Sequence, residues 1–292
     1  MNILKEINIK NWQEEINASL QQEAITSLEN DSILFFPDLN FELNDDEKYL
    51  LTPEFSDLKS KNISYHCKDH SLRGMNSDPT AQEKMKSLIA RFHQYAYEFV
   101  CQLFPAYVPH LEVGRTSYRP IEIRDRHNKS YKKDDTRLHV DAFPSNPVQG
   151  RRILRVFSNI NPQGRPRVWH AGESFSTVAR QFLPRIKKPV LNGKLLKLLH
   201  ITKSVRTPYD HIMLQLHDQM KADEYYQAHV KKTQIQFPAG STWIVQTDSV
   251  SHAALSGQYV LEQTFYLPVS AMVNENLSPL RVLENLTASS LC

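Results

Sequence analysis

The sequence predicts an α+β protein in which an antiparallel β core, a sandwich or barrel-like double sheet, lies under a helical N-terminal layer and is interrupted by a helical insertion. Three observations carry that prediction. From about residue 109 to 272, short runs rich in β-branched and aromatic residues recur between turn residues. Residues 1–108 instead show apolar side chains at helical spacing. Residues 174–228 return to helical patterning within the strand-rich region. No repeat, low-complexity run or Ser/Gly linker divides the chain, so a single domain over residues 1–292 accommodates all three features.

In residues 10–29, Trp12, Ile16, Leu20, Ala24 and Leu28 fall near one face of a helix. Ile33 to Pro37 (ILFFP) is a short apolar run of strand length. Residues 80–103 open on Thr80 with Glu83 three residues later, the pattern of a capping box, and Phe92, Tyr95, Phe99 and Leu103 continue the apolar stripe. The expected strands are LEVGRTSYRPIEI, RLHVDAF, RRILRVFSNI, TQIQF, STWIVQT and QYVLEQTFYLPV. Asn146-Pro147, Asn161-Pro162, Pro238-Ala239-Gly240 and Ser256-Gly257 supply turns between them. Tyr209 to Tyr226 is the clearest helical stretch of the insertion.

Composition excludes several function classes. Only eight of 292 residues are glycine, and no two lie close enough for G-x-G-x-x-G or G-x-x-x-x-G-K-[ST]. Phosphate-cradling loops need backbone N–H groups bared by closely spaced glycines, so a cofactor must be held by side chains. No apolar run is long enough to span a membrane, and the first twenty residues have no apolar secretory core. Cys67, Cys101 and Cys292 are odd in number and far apart, which suits a reducing, cytoplasmic location. The charge is uneven. Residues 115–185 carry a net +9 and the remainder −6, summing to +3. A basic middle suggests an anionic partner: nucleic acid, or a phosphorylated or carboxylated small molecule. A solvated, ion-paired surface is the plainer alternative.

In Arg137-Leu138-His139-Val140-Asp141, strand alternation puts His139 and Asp141 on one face and Leu138 and Val140 on the other. A second histidine, His252, lies after STWIVQT and before the turn Ser256-Gly257. His-x-Asp with a distant His is the ligand set of a facial triad, which leaves metal positions open for a chelating cosubstrate and dioxygen and suits iron(II). His-x-Asp alone arises often by chance. An ordinary polar pair and a satisfied loop histidine are the competing description.

The segments RLHVDAFPSNPVQGRRILRVFSNINP, GRPRVWHAGESF and PAGSTWIVQTDSVSHAALSGQYVLEQTFYLP resemble those of the Kdo 3-hydroxylases, Fe(II)/2-oxoglutarate-dependent dioxygenases acting on the 3-deoxy-D-manno-oct-2-ulosonic acid (Kdo) sugar of lipopolysaccharide. The resemblance covers residues 110–270 well and the N-terminal third loosely. It implies a double-stranded β-helix, or jelly roll, with flanking helices. It makes His139, Asp141 and His252 the iron ligands and implies 2-oxoglutarate and O₂ as cosubstrates. The reaction implied is hydroxylation of C3 of Kdo on a lipid A-linked saccharide, with release of succinate and CO₂.

The distal carboxylate of 2-oxoglutarate calls for a cation, and Arg offers a bidentate fork. Many relatives carry that Arg about ten residues after the distal His, but AALSGQYVLEQTFY holds no Arg or Lys. Gln263 and Thr264 there offer hydrogen bonds without charge. Arg155, on the strand after His-x-Asp, is the first choice. Arg152 has the opposite parity on that strand, and Arg115 and Arg119 follow as alternatives. Trp169 and His170 are candidates for the substrate mouth, although Trp169 also suits a core position. Arg165 and Arg167 are candidates for an anion, Asp248 for ordering the His252 loop or accepting from a ligand His, and Lys129 to Lys133 for a mobile loop.

An amphiphilic substrate implies work at the cytoplasmic face of the inner membrane without a spanning helix. The net +9 stretch fits the carboxylates and phosphates of Kdo-lipid A. A non-enzymatic jelly-roll binding module or a nucleic-acid reader is the contrasting possibility. Sparse pairing of aromatic with basic residues argues against nucleic acid.

Overall fold

The computed structural model describes residues 3–57, 60–76, 78–125, 130–187 and 193–292. In chain order these form β1 (Leu4–Glu6), α1 (Ala18–Glu29), β2 (Ile33–Phe36), β3 (Ile63–His66), β4 (Ser71–Arg73), α2 (Pro79–Leu103) and β5 (Glu112–Arg119). After them come β6 (Arg152–Asn159), β7 (Arg167–Ala171), α3 (Phe175–Phe182), α4 (Gly193–Leu198), α5 (Pro208–Ala222) and α6 (Glu224–His229). The chain ends with β8 (Thr233–Phe237), β9 (Thr242–Gln246), β10 (His252–Ser256), β11 (Val260–Leu267) and α7 (Pro279–Thr287).

An eight-stranded sheet runs β1-β2-β9-β6-β11-β5-β3-β4, and a three-stranded sheet runs β10-β7-β8. The β1–β2 pair is parallel and the other strand pairs are antiparallel. This is the double sheet that the strand-rich half predicts. Period-2 alternation divides β9, and β6 from Leu154 onward, between two cores. Leu154 and Val156 join the helix-side core with Leu88, Phe92 and Phe99 of α2. Phe157 of β6, on the other face, joins Trp169 of β7, Phe237 of β8 and Trp243 of β9 between the sheets. Trp243 is fully buried there, its ring 4.1 Å from Phe237 and 5.1 Å from Phe157. Gly257 turns β10 into β11 at φ +117°, where a Cβ would meet the Arg167 backbone at 2.9 Å.

Several boundaries differ from the sequence prediction. The first helix starts at Ala18 rather than near residue 10, because the Asn17 side chain accepts from Leu20 N and caps it. Trp12 precedes the helix and is held instead by the rings of Phe41, Phe92, Tyr95 and Phe99. The second helix is capped by Asp78, which accepts from Ala81 N at 3.0 Å, with Pro79 at the first position; Thr80 lies inside it. The N-terminal third is less helical than its periodicity suggests and adds β1 to β4 to the large sheet. The stretch Tyr209 to Tyr226 is two helices, broken where Asp223 caps α6.

Candidate metal centre and active site

RLHVDAF is extended but is not a regular strand. Its backbone bonds go to two different partners. His139 pairs with His252 through N–H to O bonds of 3.0 and 2.9 Å, while Asp141 N–H donates to Thr247 O at 2.8 Å. The segment therefore bridges the loop between β9 and β10, and His252 is the first residue of β10 rather than a loop residue. The alternation holds nonetheless. Leu138 and Val140 are buried in the helix-side core. His139, Asp141 and His252 each offer one donor atom, and those atoms lie within 4.8 Å of one another.

The hydrogen bonds fix which nitrogen faces the centre. His139 Nδ1 meets Arg137 O at 2.8 Å, and His252 Nδ1 meets Val250 O at 2.8 Å. A carbonyl only accepts, so both Nδ1 atoms carry the proton and both Nε2 lone pairs are available. Trp169 lies nearly parallel to the His252 ring at 5.1 Å and 22°. His217 of α5 lies edge-on to His139 at 5.2 Å. Burial, with His252 and Lys221 nearby, pushes His139 well below the ordinary histidine range. Burial likewise lowers His252 despite the Asp141 carboxylate. Burial would raise Asp141, but Arg155 and the two histidines outweigh it and hold the carboxyl well below its usual range. Two neutral imidazoles and a carboxylate at neutral pH are a donor set that fits a divalent iron.

Arg155 points into this site. Its Nη2 is 3.0 Å from Asp141 Oδ2 and its Nη1 is 2.9 Å from Glu262 Oε1. Glu262 also accepts from Arg119 Nε at 2.7 Å. Asp141, Arg155, Glu262 and Arg119 thus alternate in charge along the inner face of the large sheet. Thr264, directly opposite Arg155, lies beside them, its hydroxyl 3.3 Å from Glu262. Arg115 is exposed further out, close enough to act on the Tyr266 phenol, and no ion pair to it exists among the described residues.

Other candidates lie elsewhere. Arg152 faces the helix side, as its parity requires. There its Nε donates to Asp248 at 2.7 Å and its Nη2 to Ser249 at 2.8 Å, so it does not reach the site. Asp248 accordingly orders the loop before His252 and accepts from neither ligand-type histidine. Gln263 also faces the helix side, bound to His93 and Thr116. Trp169 is buried in the core between the sheets with one face against the His252 ring, so it stays at the site, whereas His170 lies on the opposite face of β7, next to Gln234 of β8. Arg167 donates to Gly257 O at 2.9 Å, and with Arg165 it lies at the end of β7 away from the Ala171–His252 pair. Tyr131 to Lys133 form a short helical turn whose Lys132 pairs with Asp218 at 2.6 Å, while Lys129 lies outside the described residues.

Four further residues, which the sequence-based expectations do not include, stand around the site: Glu262, Lys61, His217 and Lys221. Glu262 was legible, since it shares its strand face with Thr264. Lys61 pairs with Asp135 at 2.8 Å, and Lys221 is buried, donating to Lys132 O. Both come from distant segments, and no local pattern announces them.

A double-stranded β-helix bearing a His-Asp-His cluster of this kind defines the class of Fe(II)/2-oxoglutarate-dependent dioxygenases. The family model of 3-deoxy-D-manno-oct-2-ulosonic acid (Kdo) hydroxylases matches residues 11–290, and the chain belongs to that family. The apo structure of the Kdo hydroxylase KdoO, a non-haem Fe(II) α-ketoglutarate-dependent dioxygenase, is 45% identical with a TM-score of 0.95, covering 99% of this chain and 97% of that one. The same hydroxylase in complex with cobalt(II) is 44% identical with a TM-score of 0.96 over the same shares. Its complex with α-ketoglutarate and Fe(III) is 44% identical with a TM-score of 0.95, again over 99% and 97%. Comparison with curated proteins returns no match.

Proposed function

We propose that this chain hydroxylates C3 of Kdo in a lipid A-linked saccharide, using iron(II), 2-oxoglutarate and O₂. The observation that carries the reading is the convergence of His139, Asp141 and His252, with both Nδ1 protons committed to carbonyls, in a chain 45% identical to a Kdo hydroxylase. These three residues are the proposed ligands. Bound iron supplies dioxygen activation coupled to decarboxylation of 2-oxoglutarate. The protein supplies geometry and a dry surround: Leu138, Val140 and Trp169 back the ligands with core, and the Arg137 and Val250 carbonyls hold the rings in register.

Arg155 is the proposed cation for a 2-oxoglutarate carboxylate, with Thr264 beside it. Asp141 and Glu262 hold the guanidinium in place through Nη2 and Nη1, and its buried Nε has no hydrogen-bond partner among the described residues, so an entering carboxylate would meet a prepositioned cation with a donor to spare. Arg115 is the alternative. The net +9 between residues 115 and 185 supports an anionic substrate such as a Kdo carboxylate next to lipid A phosphates. An amphiphilic substrate supports peripheral contact with the inner membrane; among the described residues no helix is long and apolar enough to cross one.

The test is incubation of Kdo-lipid A with the iron-loaded enzyme and 2-oxoglutarate, read by mass spectrometry. The expected product gains one oxygen, with stoichiometric succinate, and His139→Ala yields neither. Succinate release without any oxidised Kdo would remove the substrate from the proposal.

A further inference from the structure

The helical insertion carries a surface feature that the site chemistry leaves unused. Between Leu195 and Ile201, α4 and the turn after it expose Leu198 at 73%, Leu199 at 55%, Ile201 at 51% and Leu195 at 39%. Among the described residues, no leucine or isoleucine outside this stretch is exposed. These side chains are therefore a patch, not the scatter found on any surface. Leu196 is buried and anchors the helix from beneath.

The patch is set in positive charge. Between Glu173 and Asp210 the sequence has no Asp or Glu and eight Lys or Arg. Lys197, His200 and Lys203 line an open concavity of about 500 Å³ together with Ser145, Ile201 and Thr202. Lys203 N–H donates to Ser145 O at 3.0 Å, and Arg206 Nη2 donates to Pro144 O at 2.6 Å. The patch is thus tied to the loop that leaves Asp141.

We propose that this patch docks the protein on an anionic lipid surface. The leucines enter the boundary between headgroups and acyl chains, and Lys197 and Lys203 meet phosphates. A second copy of the chain is a poorer occupant, because a two-fold interface would set like charges against each other. Docking in this way would bring the Pro144–Ser145 loop, and with it the chain leaving Asp141, to headgroup level. Only this last consequence rests on the proposed lipid-linked substrate.

The test uses the full chain without substrate, sedimented with vesicles of phosphatidylcholine alone or mixed with phosphatidylglycerol. The wild type is expected to bind the mixed vesicles, to release as salt rises, and to ignore phosphatidylcholine alone. Leu198→Ser/Leu199→Ser is expected to weaken that binding at least about tenfold. Lys197→Gln/Lys203→Gln is expected to remove the preference for phosphatidylglycerol. Unchanged binding by the leucine variant, or equal binding of the wild type to both vesicles, would overturn the proposal. So would a wild-type dimer that ignores vesicles and dissociates on the leucine substitutions. Succinate release is measured on the same preparations. Vesicle binding that persists without it supports the docking and counts against the dioxygenase reading.

Discussion

Glu262 joins two arginines that the sequence offered as separate candidates. Arg119 and Arg155 sit on β5 and β6, either side of β11, and one carboxylate bridges them. Burial alone would raise the Glu262 carboxyl, but Arg119 and then Arg155 hold it below the usual range. A depressed folded pKa means the unfolded chain binds the proton first, so this stabilisation is complete above about pH 4.3 and is lost as pH falls through the folded value. Unfolding free energies from urea titrations measured downward from about pH 4.3 are expected to fall more steeply for the wild type than for Glu262→Gln, by up to about 1.4 kcal/mol per pH unit. Arg155→Lys keeps the charge but loses the fork. It is expected to raise KM for 2-oxoglutarate about tenfold, while Arg115→Gln leaves KM nearly unchanged. The reverse ranking in steady-state kinetics would make Arg115 the cosubstrate cation. Arg155→Gln leaves two buried carboxylates short of a partner, and a loss of about 3–5 kcal/mol is expected in denaturant titration.

Among the elements, α2 shows how a local signal points two residues astray. Thr80 with Glu83 has the form of a capping box, yet Asp78 makes the cap. Pro79 explains the shift: its fixed φ suits the first helical position, and its missing N–H costs nothing there. Asp78→Ala is expected to cost about 1 kcal/mol and Thr80→Ala less than about 0.5 kcal/mol, as measured by thermal unfolding. RLHVDAF shows the converse. Its alternation separates Leu138 and Val140 from His139 and Asp141 as expected, although its backbone forms a single bridge instead of a ladder. Parity depends only on extended dihedrals, whereas a regular strand needs a neighbour along its whole length.

For the whole molecule, the proposed centre links the two sheets. His252 opens β10 of the small sheet and is bridged to His139, while Asp141 is ion-paired to Arg155 in the large one. A ligand bound across them stabilises the folded state by mass action. Cobalt(II) with 2-oxoglutarate at about 100 times Kd is expected to add about 2.7 kcal/mol, or about 5 °C of melting temperature. Chelation should reverse the gain, and Asp141→Asn should not show it in differential scanning fluorimetry. The sequence by itself determined the strand-rich half, the central helices and the exclusion of glycine-loop cofactors, because periodicity and residue chemistry are local properties, and it marked His139, Asp141 and His252 as candidate ligands through spacing together with the family resemblance. Its alternation also determined that only one of Arg152 and Arg155 faces inward. Tertiary structure alone decided which one it is, how Asp248 and Glu262 choose between the arginines, and how Lys61 and Lys221 reach the site. Those outcomes depend on which face of a sheet the helices cover and on segments far apart in the chain meeting in space, and no local pattern encodes either.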